Sequence, residues 1–294
     1  MAARSAVSLG ARRPRSGALS ALARRAFHDA RIRTLAFACL FAAYMYIEPV
    51  GYRSAYPTLA DRLGFAHAFA NDVSIRLFYG FPYDPLSVGG YAAWRGGGTL
   101  AIAAAVFGVV AAARALRAEE DSGRMELVLA GAVDRSTAFT AALVGIGAGI
   151  ALIWIAETAG CVLAGLSLGD SVLLAASTMS VAAVFVGIGA IVSQLAPTRR
   201  VALELGCAMV AVFLLLRVVG DTSAGVGWLR WLTPLGWAEE TRPFTGAHPL
   251  VLLLPLAATA LLLLGALRID RGRDIGTGLL AARDSTAPKL RLLS

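Results

Sequence analysis

Apolar residues along the chain gather into long unbroken runs, and six of these are long enough to cross a hydrocarbon core of about 30 Å, which takes about 20 helical residues. The runs cover about 34–50, 91–118, 135–166, 171–195, 201–219 and 250–267. Ahead of the first, Leu19, Leu22, Ala23, Ala26, Phe27 and Ala30 share one helical face while Arg24, Arg25, His28 and Arg31 lie opposite. That pattern predicts an amphipathic helix over 18–33 lying on the membrane surface. Residues 1–17 read as a basic disordered tail, and 268–294 as a cytosolic tail. The fold class expected is all-α: a polytopic membrane protein with six transmembrane helices in a domain spanning 34–267.

The stretches between the runs are short or turn-rich. Residues 53–95 carry Pro and Gly around Phe81-Pro82-Tyr83-Asp84-Pro85, and Leu59, Leu63 and 66–69 predict a surface helix there. Asp134 is the expected N-cap of the third span, Ser171 opens the fourth, and Thr198-Arg199-Arg200 forms a tight turn into the fifth. Trp228, Trp231 and Trp237 stand among Gly and Pro within 220–249, a pattern that fits two short helices at the membrane interface.

Composition removes the soluble alternatives. The chain of 294 residues is 57% hydrophobic and 16% charged, with a net charge of +8. The positive charge does not point to nucleic acid, because it is sorted by side. Twenty of the Lys and Arg residues fall on the side that holds both termini, the 114–135 segment and the Thr198 turn; seven fall on the other. Positive charge marks the cytosolic face, so both termini are expected in the cytosol and the chain in the plasma membrane. Cys39, Cys161 and Cys207 all lie within apolar spans without ligand or disulfide spacing.

Little in the spans looks like reaction chemistry, and neither a catalytic residue nor a metal or cofactor ligand is assigned. Glu157 lies 23 residues beyond Asp134, about 35 Å along a helix, which places it near the far interface as a solvated or partnered carboxylate. Glu204 is one turn from Arg200, and Arg217 is near enough to its span's end to snorkel to water. Gly145 and Gly149 form a G-x-x-x-G face for close helix packing. The single lysine, Lys289, is followed by Leu290, so the chain has no Gly-Lys-Ser/Thr phosphate-binding loop. If ATP drives this protein, another chain binds it.

The segment from Arg114 to Arg135 concentrates charge between the second and third runs. Gly123 breaks the helix direction, and Met125, Leu127, Val128 and Leu129 supply an apolar island. Glu119, Glu120, Asp121, Arg124 and Glu126 form a charged rim, and Gly131 turns the chain back toward Arg135. Apolar anchors inside a charged rim suit a groove on a partner protein, so a cytosolic coupling helix is expected here.

The same segment carries a family resemblance. Glu119-Glu120-Asp121-Ser122-Gly123-Arg124-Met125-Glu126-Leu127-Val128-Leu129-Ala130 with Arg135 resembles the E-E-x-x-G-R-x-E-L-x-L-A…R segment of type 2 ABC exporter permeases, and in particular the actinobacterial polyketide and multidrug antibiotic exporters. Further matches lie at 89–95, 231–237, 242–244 and 273–280. The resemblance implies a permease subunit, not an enzyme, that moves hydrophobic or amphipathic compounds outward. ATP and Mg would bind two copies of a partner ABC ATPase that engages the 119–131 segment. It also implies that this is an N-terminal half, completed by a second six-span chain or by a copy of itself. The alternatives from other classes are a proton-coupled secondary transporter using Glu157 and an integral-membrane enzyme.

Overall fold

The computed structural model describes residues 15–69, 72–117, 135–223 and 225–272, and every regular element among them is helical. Among the described residues, six helices are long and apolar enough to cross a membrane: Leu19–Ala55, Val88–Leu116, Ser136–Leu163, Leu168–Leu195, Arg199–Thr222 and Pro249–Asp270. The six predicted runs and the all-α class are therefore the architecture observed. Lipid leaves no water to satisfy backbone groups, so each run closes its hydrogen bonds within itself as helix.

The first helix, α1 (Arg15–Ala55), has 41 residues. No Gly or Pro occurs between Gly17 and Pro49, so the segment expected on the surface and the first span form one uninterrupted helix. Two short helices, α2 (Leu59–Phe69) and α3 (Val73–Tyr79), follow outside the spans. The second span, α4 (Val88–Leu116), starts where the Ser87 hydroxyl accepts the Gly90 N–H at 2.9 Å, and it widens into π turns at Ala92–Gly97 and Ala113–Arg117.

Helix α5 (Arg135–Leu163) ends three residues before the predicted limit, because Gly165 takes the left-handed conformation at φ 79°. Leu166 then folds back to donate its N–H to the Cys161 carbonyl at 3.1 Å, closing the C-terminus. Helix α6 (Leu168–Leu195) begins one turn before Ser171, with Ser167 as its N-cap residue. The Ser171 hydroxyl donates to the Ser167 carbonyl at 2.6 Å inside that first turn. Helix α7 (Arg199–Thr222) is capped by the Thr198 hydroxyl, which accepts the Val201 N–H. A 3-10 turn (Gly227–Leu232), α8 (Pro234–Glu240) and a second 3-10 turn (Pro249–Leu252) lead into α9 (Leu253–Gly272).

Helix α6 is the axis of the bundle and the most buried of the spans, whereas α7 and α9 are largely exposed. The outer helices therefore present apolar faces to lipid or to a partner. Small residues let the spans approach closely. A Cβ on Gly160 would lie 2.2 Å from the Ala42 carbonyl oxygen of α1, and one on Gly108 would lie 2.4 Å from the Ala182 carbonyl oxygen of α6. At the end of the bundle where α4 finishes and α5 starts, Leu116, Phe139, Ala190 and Ala266 join four spans in one apolar cluster.

This packing makes opposite predictions for two glycines on α5. Gly160→Ala should destabilise the bundle by about 1–3 kcal/mol through overpacking. Gly147→Ala, at a position with nothing within 4 Å, should be neutral or stabilising by up to about 1 kcal/mol. Thermal unfolding of the detergent-solubilised variants checks both, and equal effects would show that α1 does not pack as described.

Candidate functional site

At the end of the bundle opposite the Leu116 cluster, the segments between spans fold over the helix ends as a cap. It contains a buried network of charge. Arg217, on α7, is fully buried and pairs with Asp221 one turn later at 3.1 Å. A second carboxylate, Glu239, reaches it from α8 at 2.8 Å. Arg230, on the 3-10 turn, lies 3.7 Å from Asp221 and 3.5 Å from Glu240, and Arg242 closes on Glu240 at 2.8 Å. The Tyr83 hydroxyl donates to Glu240 at 2.6 Å, and the Arg242 guanidinium lies 4.1 Å from the centre of its ring. Three arginines and three carboxylates thus pair with one another, with the side chains of Arg217 and Asp221 fully buried and Arg230 and Arg242 reaching toward the surface.

Local sequence explains how α8 brings its carboxylates there. Thr233 caps the helix by accepting the Gly236 N–H at 2.9 Å, with Pro234 in the first turn where no N–H is needed. Gly236 is required by contact: a Cβ there would lie 2.2 Å from the Arg230 carbonyl oxygen. Beyond α8 the chain turns sharply through two non-glycine residues in the left-handed region, Arg242 (φ 47°) and Phe244 (φ 64°). Such conformations cost about 1–3 kcal/mol each and persist only where the surroundings fix them. Here the Phe244 N–H donates to Asp170 at 3.2 Å, and the Ser177 and Thr241 hydroxyls are hydrogen-bonded at 2.6 Å. Both partners are on α6, so the cap is tied to the bundle's axis.

Gly80 supplies the other wall. Its φ of 87° favours glycine, and a Cβ would fall 2.0 Å from Glu239 Oε1. Trp94 donates its indole N–H to the Gly80 carbonyl at 2.8 Å. A second polar cluster joins α1 to α4, where the Tyr91 hydroxyl donates to Glu48 at 3.1 Å and accepts from Arg95 at 3.0 Å. Burial and the bond to Glu240 raise the Tyr83 hydroxyl well above its ordinary range. Burial also pushes Glu239 upward, and Arg217 opposes it.

Beneath the network is a small cavity of about 40 Å³, lined in part by Gly97, Ser177, Thr178, Glu239 and Arg242. Thr178 links it to Glu157, which is fully buried and accepts the threonine hydroxyl at 3.0 Å. Glu157 is thus a partnered residue rather than a solvated one. Its other carboxylate oxygen has no hydrogen-bond partner among the described residues. Arg217 departs from expectation too: α8 and the 3-10 turn cover the end of α7, so its guanidinium meets carboxylates instead of snorkelling to water.

Glu119, Glu120, Gly123, Arg124, Met125, Glu126, Leu127, Val128 and Leu129 lie outside the described residues, and Arg135 opens α5. Gly145 and Gly149 face α1, where added Cβ atoms would lie 2.9 Å from the Ala26 Cβ and 3.3 Å from Thr34. The Arg200–Glu204 pair forms as expected at 2.8 Å. Among the described residues, no group of three His, Cys, Asp or Glu is arranged to hold a metal. The cap network was not anticipated, although Asp221 one turn after Arg217 and the adjacent Glu239 and Glu240 were visible signals.

Among the described residues, five apolar spans around a sixth, buried axial helix define an α-helical, multi-pass membrane protein. A family model described as "Multidrug efflux system permease Rv1217c, C-terminal domain" matches residues 92–268, and the chain belongs to that family, within the type 2 ABC permeases. It is 36% identical over 258 residues to the multidrug efflux system permease protein Rv1217c of Mycobacterium tuberculosis (strain ATCC 25618 / H37Rv). That alignment covers 86% of this chain and 45% of the relative, so the chain spans about half the relative's length. The matched region contains both the 119–131 segment and the charged residues of α7, α8 and the turn between them.

Breaking the network by removing one partner should be costly. Arg217→Met leaves Glu239 buried without its cation and should destabilise the fold by about 3–5 kcal/mol, whereas Arg200→Met, at an exposed pair, should leave stability essentially unchanged. Thermal unfolding in detergent distinguishes them, and similar losses would mean that the cap charges are solvated.

Proposed function

We propose that this chain is the membrane-spanning permease subunit of an ATP-driven ABC exporter that carries hydrophobic or amphipathic compounds out of the cell. The observation that carries the reading is membership of an efflux permease family by a chain with no phosphate-binding loop. ATP and Mg therefore belong to a separate ATPase, present in two copies. Its contact is the 119–131 coupling helix, facing the cytosol together with both termini. The exposed apolar faces of α7 and α9 supply surface against which a second six-span half, or a copy of this chain, packs.

In this reading ATPase closure displaces the segment between α4 and α5, whose ends are held together by Leu116 and Phe139. The two spans carry that displacement to the cap. Access at the cap end then requires the Arg217 network to move as a unit or to exchange partners, and two features favour exchange. The network is neutral in sum, yet Arg217 Nη1 and Nη2 have no hydrogen-bond partner among the described residues. A two-state element of this kind is what alternating access needs.

The buried Glu157 keeps a second reading in view, that of proton-coupled transport, because one of its oxygens is unpartnered. Glu157→Gln separates the two: an ATP-driven exporter retains ATP-dependent efflux, and a proton-coupled carrier loses transport whether or not the ATPase is present. For the coupling helix, Leu127→Asp with Leu129→Asp should abolish co-purification with the ATPase while the chain still inserts. Undiminished co-purification would refute the contact.

A further inference from the structure

At the end of the bundle away from the cap, α1, α4 and α5 diverge around a cavity of about 120 Å³, roughly ten times the space that one water needs. Its floor is apolar. Phe37 and Phe107 meet edge to face with ring centres 5.0 Å apart, and Ala142 and Ile146 complete it. The glycines of α5, Gly145 and Gly149, line the same wall where α5 packs closely against Ala26 and Thr34 of α1. Its rim is basic: Arg25, Arg33 and Arg114 stand against one carboxylate, Asp29.

Asp29 is engaged already, 3.8 Å from Arg25 on its own helix. Arg33, from α1, and Arg114, from α4, remain close enough to repel each other, and among the described residues neither has a carboxylate within ion-pair distance. A half-buried cation, Arg33, and an exposed one, Arg114, over an aromatic floor call for an anion with an apolar continuation. The neighbours of Arg33 on α1 indicate where it comes from: Ile32 is 75% exposed and Leu35 51% exposed, so this stretch of helix presents apolar surface to its surroundings. Basic pockets between spans at the cytosolic face suit the headgroups of anionic lipids.

We propose that this cavity binds one anionic phospholipid of the cytosolic leaflet. Its phosphate lies between Arg33 and Arg114, and the glycerol and first acyl carbons lie on Phe37 and Phe107. The assignment to that leaflet rests on the orientation proposed above. A lipid so placed bridges α1, α4 and α5 next to the two helix ends that flank the coupling segment, so it sets their spacing and makes transport depend on membrane composition.

Native mass spectrometry of the full chain in mild detergent, with whatever subunits co-purify, tests the site. Dioleoyl phosphatidylglycerol, dioleoyl phosphatidylcholine and inorganic phosphate are titrated separately. One phosphatidylglycerol should be retained at concentrations where phosphatidylcholine is not, and millimolar phosphate should not displace it. Arg33→Gln with Arg114→Gln should weaken retention at least about tenfold, while Arg200→Gln, an exposed arginine on the same side, leaves it unchanged. Arg33→Lys with Arg114→Lys, which keeps both charges, should retain the lipid and guards against misfolding as the cause. Equal loss in Arg200→Gln, equal retention of phosphatidylcholine, or displacement by free phosphate would each overturn the proposal. Binding in detergent depends neither on sidedness nor on the ATPase, so its failure leaves the permease reading untouched.

Discussion

Arg217 carries a full charge at a position with no exposed atom, and the arrangement of the cap follows from that constraint. A buried ion costs several kcal/mol to desolvate, and the cost is offset only by partners with good geometry. Asp221 is available within the helix, but a second carboxylate has to be brought from elsewhere. The turn at Gly227–Leu232 and the capped helix Pro234–Glu240 bring it, and Gly80 clears the space it occupies. The two strained residues beyond the helix are the local consequence of folding the chain back so tightly.

The two ends of the bundle are consequently built from different interactions. At the cap, neutralised charge, hydroxyl pairs and a tryptophan N–H fix α7 and α8 against α4 and α6. At the other end the spans meet through apolar side chains and close glycine contacts, with Arg33 and Arg114 at the rim lacking a carboxylate partner among the described residues. Apolar contacts are non-directional and tolerate small shifts, whereas a buried ion network has discrete arrangements. In the proposed transport cycle, a displacement applied near Leu116 and Phe139 is therefore absorbed gradually at one end and expressed as a switch at the other.

The six spans were legible because hydrocarbon permits little other than helix, so apolar run length alone predicts the element. The ends of the helices were less legible. α5 stops at a left-handed glycine and α1 passes through a predicted change of direction without a break, both being matters of local backbone chemistry. The cap network could not be assembled from the sequence, because Tyr83, Arg217 and Glu240 meet only through tertiary folding. Arg217 alone, near a span's end, reads as a residue reaching for water. Glu157 was expected at the far interface from its distance along the helix; its burial, with Thr178 of α6 donating to it, is set by packing between spans that the sequence does not display. The coupling segment was the reverse case: its charge pattern and motif were plain in the sequence, and its residues lie outside those the structure describes.

The central claim is that this chain is driven by a separate ATPase. The direct measurement is affinity purification of the tagged chain from its native membrane in mild detergent, with identification of every protein retained in stoichiometric amount. The account predicts an ABC ATPase together with a second six-span permease, or with further copies of this chain. Recovery of the chain without any ATPase, under conditions in which it remains folded and transport-competent, would contradict it.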